Sequence, residues 1–395
     1  MIRREKYIDE LKRFKGNSLI KVLTGLRRVG KSTLLDIFSD ELIKNGVNKD
    51  NILKINFELP FFFHIKTYQD LTDHVMNWAH GKNGDLYLIL DEVGRVLEWE
   101  RAVNAFHALK KFDIYITGSN ADLLSSDLAT FLGGRYVEIL IHPFSYQEFI
   151  EIDPNNTLND YIIFGGMPSI TPFDLEYQTS MRVLKDSYYS SILQDVVSRY
   201  NVRNVSLLEK IIAYIFANTS KTFSASSIAK YLKSQKINVT VDTIINYLDY
   251  VSKAFLIYRV PRNDIVGKRI LKTEEKYFIA DHGYREALIG NNMQSIELIL
   301  ENIVFIELIR RGYDVYIGKV DQKEIDFVAY KNMEPTYFQV SYLMNDLETR
   351  NREFDVYDKI PDNHNKYVIT LDKIDFSQKG IIHLNLVDFL TNENL

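Results

Sequence analysis

The sequence predicts an α/β protein whose first part is a parallel sheet covered by helices on both faces. Three observations carry this. Strand-like and helix-like segments alternate from the N-terminus to about residue 146. The strand-like segments "SLIKVLTG", "ILKINFE", "DLYLILDE" and "FDIYITGSN" are apolar runs rather than strict alternations, the pattern of strands buried on both faces. One of these runs leads directly into "GLRRVGKSTLL" (25–35), a glycine-containing loop followed by helical periodicity.

Taken in order, residues 1–16 read as a helix, then "SLIKVLTG" as the first strand and "KSTLLDIFSDELIK" as a helix. "ILKINFE" (52–58) is a second strand, "YQDLTDHVMNWAH" a helix, and "DLYLILDE" (85–92) a third strand. "WERAVNAFHALKK" is a helix, "FDIYITGSN" (112–120) a fourth strand and "RYVEILIHPFS" (135–145) a fifth. Residues 147–220 are mostly helical, with a break at "FGGMPS" (164–169). A capped helix, a turn, a second capped helix and a strand follow, with Ser224 and Thr240 as N-caps. Helix, turn, helix and hairpin together make the outline of a winged helix. From about residue 275 the helix "IELILENIVFIELIRRG" precedes three strands, "YDVYIG", "EIDFVAY" and "TYFQVSY".

With 395 residues the chain is expected to hold more than one domain. Its net charge of −5 provides no overall basic field, so nucleic-acid contact would have to come from local patches. It has no cysteine, which excludes disulfides and thiolate zinc sites. No apolar run approaches the roughly 20 residues of a membrane span, and the charged N-terminus is unlike a signal peptide. A soluble cytoplasmic protein is expected.

Gly25, Gly30, Lys31 and Ser32 satisfy G-x-x-x-x-G-K-[ST] between a strand and a helix. The glycines allow dihedrals and close approach that a Cβ would forbid. Backbone N–H groups of Gly25, Leu26, Arg27, Arg28, Val29, Gly30, Lys31, Ser32 and Thr33 are then available to cradle phosphate at a helix N-terminus. Lys31 reaches the β and γ phosphates, and the Ser32 hydroxyl joins a magnesium shell. Arg27 and Arg28 lie in the loop and meet phosphate, a partner or solvent. Asp91 ends a buried strand, where open α/β sheets bind ligands. It is the candidate magnesium ligand, and Glu92 the group that polarises the attacking water. Ser119 or Asn120, at the end of the fourth strand, is a candidate contact to the γ-phosphate or the water, or else a helix N-cap. Arg135 is a candidate arginine finger, in cis or on a neighbouring subunit, or an exposed arginine without that task.

"GLRRVGKST", "LILDEV", "ITGSN", "LGGRY", "HPFSYQEF" and "FGGMP" together resemble bacterial and archaeal P-loop ATPases of the AAA superfamily that carry a C-terminal restriction-endonuclease-like domain. The resemblance spans essentially the whole chain. It implies ATP and Mg as cofactors, Asp91 and Glu92 as the acidic pair after the strand, and a winged helix in the middle. It also implies the class of P-loop folds with a strand inserted between the two motif strands, for which "ILKINFE" is in the right place. The fold expected is thus a P-loop NTPase parallel sheet with helices on both faces, then a winged-helix region and a C-terminal α/β restriction-endonuclease-like domain. The boundaries expected are 1–146 for the ATPase core, 147–204 for a helical lid or connector, 205–272 for the winged helix and 273–395 for the last domain.

"EIDFVAY…TYFQVSY" resembles the D…(E/Q)-x-K pattern of the restriction-endonuclease fold. Asp326 matches the first position and Gln339 the second, while Ser341 stands where lysine is required. Glu301 or Glu307 would be the helical acid. Without the lysine, metal-dependent cleavage is not expected, and the domain would serve to bind. In the winged-helix region "TVDTIINYLDYVSKA" carries Asp242 and Asp249, with only Lys253 basic, a poor surface for phosphate. The next segment is more basic, with Arg259, Arg262, Lys268, Arg269 and Lys272, and could contact DNA backbone. A winged helix used for protein contact is the other reading. The function expected is an ATPase that couples nucleotide state to binding or remodelling of DNA or a protein partner, a role compatible with an oligomer. An ATP-gated nuclease and a nucleotide-binding scaffold with little turnover are the alternatives.

Overall fold

Apolar runs become strands and amphipathic runs become helices, in two units. The computed structural model describes residues 2–118, 132–265, 269–321, 323–360 and 362–392. The units are Met1–His142 with Lys253–Phe255, and Pro143–Ser252 with Leu256–Leu395.

The first unit runs α1 (Glu5–Phe14), β1 (Ile20–Gly25), α2 (Lys31–Lys44), β2 (Ile52–Asn56), α3 (Tyr68–Ala79), β3 (Leu86–Asp91), α4 (Trp99–Ala108), β4 (Phe112–Thr117) and β5 (Tyr136–Ile141). The strands form one parallel sheet in the order β2-β3-β4-β1-β5, flanked by helices. Val22, Leu88, Leu90, Ile114 and Ile116 of the sheet share an apolar cluster with Leu71, Val75, Val103 and Phe106 of α3 and α4. Each such side chain contributes roughly 1.5–3 kcal/mol by burial. The strand between the two motif strands is β4, not "ILKINFE", which forms the edge strand β2. The reason lies in the side chains. β4 is buried along nearly its whole length, whereas β2 carries Lys54 and Asn56 and is mostly half-buried. The middle of the sheet holds Lys21 of β1 and Asp113 of β4 as a buried pair, whereas Lys54 and Asn56 lie on the half-covered edge strand.

The second unit begins with helices α5 (Tyr146–Ile152), α6 (Leu158–Phe164), α7 (Tyr177–Ser191) and α8 (Val205–Ala217). It continues with β6 (Thr222–Phe223), α9 (Ala225–Ser234), α10 (Val241–Lys253), β7 (Ile257–Asp264) and β8 (Arg269–Ile279). Then come α11 (His282–Leu288), α12 (Ile296–Arg310), β9 (Asp314–Val320), β10 (Lys323–Lys331), β11 (Glu334–Val340), α13 (Leu347–Asp355), β12 (Lys366–Thr370), β13 (Ile382–Asn385) and α14 (Leu386–Thr391). Ser224 accepts the N–H of Ser227 at 3.2 Å and Thr240 that of Thr243 at 3.2 Å, so both cap their helices. The strands form a single mixed sheet, β13-β12-β11-β10-β9-β7-β8-β6. The hairpin β7–β8 thus joins β9 through parallel pairing of β7. Residues 272 and 273, where a boundary was expected, lie inside β8.

Candidate functional site

The glycine loop sits at the C-terminal end of β1. Gly25 has φ 131° and Gly30 φ 96°, both in the region that favours glycine, and Gly30 is the N-cap of α2. Leu26 and Val29 are buried and pin the loop from below, while Arg28 is exposed and Arg27 half-buried. Arg4, just before α1, donates to the carbonyls of Val29 at 3.2 Å and His142 at 2.8 Å, tying the loop to the end of β5. The Lys31 ammonium, only 5% exposed, donates to the carbonyls of Gly25 at 3.0 Å and Leu26 at 3.1 Å. It therefore arches over the loop, with the first N–H groups of α2, including those of Ser32 and Thr33, opening beside it. A cation and a helix N-terminus at one point make an anion site.

The end of β3 completes the site. Asp91 is fully buried. Its Oδ1 accepts from the Ser32 hydroxyl at 3.0 Å and the Thr117 hydroxyl at 2.6 Å, and its Oδ2 accepts from the Asn56 amide at 2.9 Å. Glu92 turns left-handed at φ 56°, and its N–H donates to the Thr117 hydroxyl at 2.9 Å. Burial raises the pKa of the Glu92 carboxyl, with the Lys31 charge opposing. Ser32 and Asp91 present oxygen donors side by side, the set that a small hard cation such as magnesium takes when substrate phosphates fill the rest of its shell. Among the described residues no cluster of three or more histidine or acidic side chains is placed to hold a metal by itself.

Lys31, Ser32, Asp91 and Glu92 are thus brought together. Arg135 is not. It is exposed and lies before β5, its carbonyl accepting the N–H of Ile20 at the start of β1. The six residues of β1 separate it from the loop by roughly 20 Å, so it cannot reach the nucleotide loop of its own chain. Ser119 and Asn120 lie outside the described residues. Asn56, Thr117 and Arg4 were missed. Thr117 alone had a visible signal, as the last polar residue of the apolar run "FDIYIT".

A second polar pocket, of about 440 Å³, lies in the second unit. Glu301, Asp326, Gln339 and Ser341 line it together with Glu297 and Glu324. Glu307 does not join them: it is buried against Arg310 at 2.7 Å and Arg311 at 2.7 Å. Six residues of helix put it on another face of α12 from Glu301. Lys276, also missed, reaches Glu301 at 2.7 Å and Glu324 at 2.8 Å. In the basic segment the described side chains are paired within the sheet, Arg259 with Glu275 and Arg262 with Glu324.

A family model described as "AAA domain" matches residues 17–150, and one described as "Domain of unknown function (DUF8612)" matches residues 155–295. An uncharacterized protein of Haemophilus influenzae is 39% identical over 94% of this chain and 93% of its own length. An uncharacterized protein of Methanocaldococcus jannaschii is 31% identical over 89% of this chain and 82% of its own. The chain belongs to the family of these two proteins, and its first part is an AAA-type P-loop domain. Among solved structures, the Aeropyrum pernix ORC1 protein in complex with DNA aligns with 75% of this chain and 94% of that chain, at 10% identity and a TM-score of 0.31. AMPPCP-bound DnaA from Aquifex aeolicus aligns with 63% and 88%, at 16% identity and a TM-score of 0.31. Among the described residues no helix is long and apolar enough to cross a membrane.

Proposed function

We propose that the protein binds ATP with magnesium at the loop 25–33, hydrolyses it, and uses the change of nucleotide state to act on a macromolecular partner. The observation that carries this reading is the meeting of Lys31, Ser32, Asp91 and Glu92 at the C-terminal ends of β1 and β3. The loop amides and Lys31 hold the triphosphate. Ser32 and Asp91 hold the magnesium ion, which when bound neutralises charge on the phosphate oxygens. Glu92 orients a water on the γ-phosphorus and accepts its proton as the phosphorus–oxygen bond to ADP breaks. Arg135, exposed and remote from the loop of its own chain, either serves the site of a neighbouring copy or is an exposed arginine without that task.

Beyond the first unit, we read 147–204 as a connector and the segment from 205 as a winged helix whose hairpin runs to the end of β8 at Ile279. We read α12-β9-β10-β11-α13-β12 as a restriction-endonuclease-like core kept for binding. The charge pairing of Arg259 and Arg262 favours a protein as the recipient of the nucleotide signal. DNA is the second reading, carried by the five basic residues between 259 and 272.

Calorimetric titration of Mg·ATP tests the core of this reading. Wild type is expected to bind and Lys31→Ala to lose detectable binding. A wild type that gives no heat overturns the proposal, and so does a Lys31→Ala variant of unchanged affinity. Salt-sensitive DNA binding that tracks nucleotide state would promote the second reading.

Thr117 provides a separate test. Thr117→Val keeps the shape but removes the bonds to Asp91 and to the Glu92 N–H. It is expected to leave ATP affinity within a few-fold and to lower kcat at least about tenfold, because Glu92 loses its anchor. Steady-state ATPase measurements alongside binding check this. An unchanged kcat would remove Thr117 from the site.

A further inference from the structure

The endonuclease-like reading of α12-β9-β10-β11-α13-β12 implies a divalent ion in the second pocket. The residues present do not fit one. Glu301 Oε1 and Glu324 Oε1 both accept from the Lys276 ammonium, and Glu324 Oε2 from Arg262. Asp326 Oδ1 lies 3.8 Å from the same ammonium, and its Oδ2 accepts the Val340 N–H at 2.8 Å. Gln339 turns its carbonyl oxygen to the Asp326 N–H at 3.3 Å. The position just after β11 that would carry a lysine is Ser341. Lys323 and Arg352 also line the pocket but are held by the Asp355 carbonyl and by Glu353, and the positive charge set among Glu301, Glu324 and Asp326 enters from β8, on the hairpin outside that core.

We propose that Lys276 is a built-in counter-cation: its ammonium fills the place among Glu301, Glu324 and Asp326 that a divalent ion would take, and the pocket binds such an ion only when the lysine is removed. The side chain of Lys276 is 5% exposed, those of Glu301 and Asp326 13% each and that of Glu324 32%, so three of the four charges share one poorly hydrated space with Glu324 at its rim. A buried carboxylate cluster needs compensating cations, and a tethered ammonium supplies one without loss of a free ion's entropy. Burial works to discharge Lys276 and likewise raises the pKa of Glu301 and Asp326, while the attraction between the ammonium and the three carboxyl groups opposes this and holds Lys276 protonated above the ordinary lysine range. An ammonium is a fixed monovalent charge. It cannot lower the pKa of a bound water as a metal does, so the pocket serves structure or binding and does not cleave phosphodiesters.

The inference goes beyond the nucleotide reading, and its test uses Mn²⁺ as the probe with no nucleotide present. Mn²⁺ binding is followed by electron paramagnetic resonance of the free ion in wild type, Asp326→Asn, Lys276→Met and the Lys276→Met/Asp326→Asn double variant. Wild type is expected to show no Mn²⁺ site that Asp326→Asn removes. Lys276→Met is expected to gain one such site, to lose it again in the double variant, and to melt roughly 5–10 °C higher with Mn²⁺ at about a hundredfold excess over Kd. A wild-type Mn²⁺ site, or Mn²⁺-dependent plasmid cleavage, that Asp326→Asn abolishes would overturn the proposal. A folded Lys276→Met variant without the added site would do the same. Should Lys276→Met not fold, the comparison of wild type with Asp326→Asn decides the question alone.

Discussion

Glu92→Gln is expected to keep Mg·ATP affinity within a few-fold of wild type and to lower turnover by about 10²- to 10⁴-fold. The affinity should survive because the groups assigned to the phosphates are others: the loop amides and the Lys31 ammonium, which arches from the carbonyls of Gly25 and Leu26. Glutamine has the shape of glutamate and still fits the left-handed turn after β3, where the backbone N–H is anchored on Thr117. What it cannot do is take a proton from water. Burial raises the Glu92 pKa above the ordinary carboxylate range, Lys31 opposing. The direction carries a consequence for pH. The carboxylate is the working form, and it is lost as pH falls through the raised pKa. The acid limb of the wild-type rate profile should therefore vanish from any residual activity of Glu92→Gln. Single-turnover hydrolysis across pH, paired with calorimetry, measures both parts. Wild-type turnover in the glutamine variant would remove Glu92 from the chemistry while leaving the anion site at Lys31 intact.

Much of this site was legible in the sequence, for a physical reason. A phosphate loop needs its glycines and its lysine at fixed spacing along one strand–loop–helix segment, so Gly25 to Ser32 announce themselves locally. Asp91 and Glu92 follow an apolar run whose burial is equally local. Thr117, Asn56 and Arg4 act through hydrogen bonds to residues 26, 35 and 25 positions away, and no spacing rule reaches that far. The order of strands was similarly hidden. Apolarity marks β2 and β4 alike as strands, while only the crossovers decide which lies beside β1. In the second unit, "ELIRR" already offers Glu307 two arginines at helical spacing, which explains why it leaves the pocket to Glu301. Lys276 had no such signal. It lies on a hairpin strand 25 residues before Glu301, and only the pairing of β7 with β9 joins that hairpin to the sheet of Asp326.

The strongest effect on the fold itself is expected from Gly25→Ala. Gly25 closes β1 in register with Ile141 of β5. Its φ of 131° is a conformation that an alanine rarely adopts, and a Cβ built there would stand 2.2 Å from the Ile141 carbonyl oxygen and 3.2 Å from its carbon. Two penalties combine. The backbone strain costs roughly 1–3 kcal/mol, and forcing a methyl against a packed backbone costs about 1–3 kcal/mol more. The obstructing atom is backbone of β5, paired in parallel with β1 along its whole length, so it cannot step aside as a flexible side chain would. Relief requires β5 to peel from β1 at the end where Arg4 joins His142 to Val29, which would also disturb the phosphate loop. Gly30 is the internal control. It too has a positive φ, 96°, but a Cβ there meets nothing within 4 Å. Gly30→Ala should therefore fold with the smaller, strain-only loss and reveal its damage in nucleotide affinity, where a methyl would crowd the phosphates. Thermal unfolding of the two variants side by side, read at the first transition because the chain has more than one unit, separates the two causes. If Gly25→Ala melts as Gly30→Ala does, the close approach of β5 to the end of β1 is not what makes that glycine necessary.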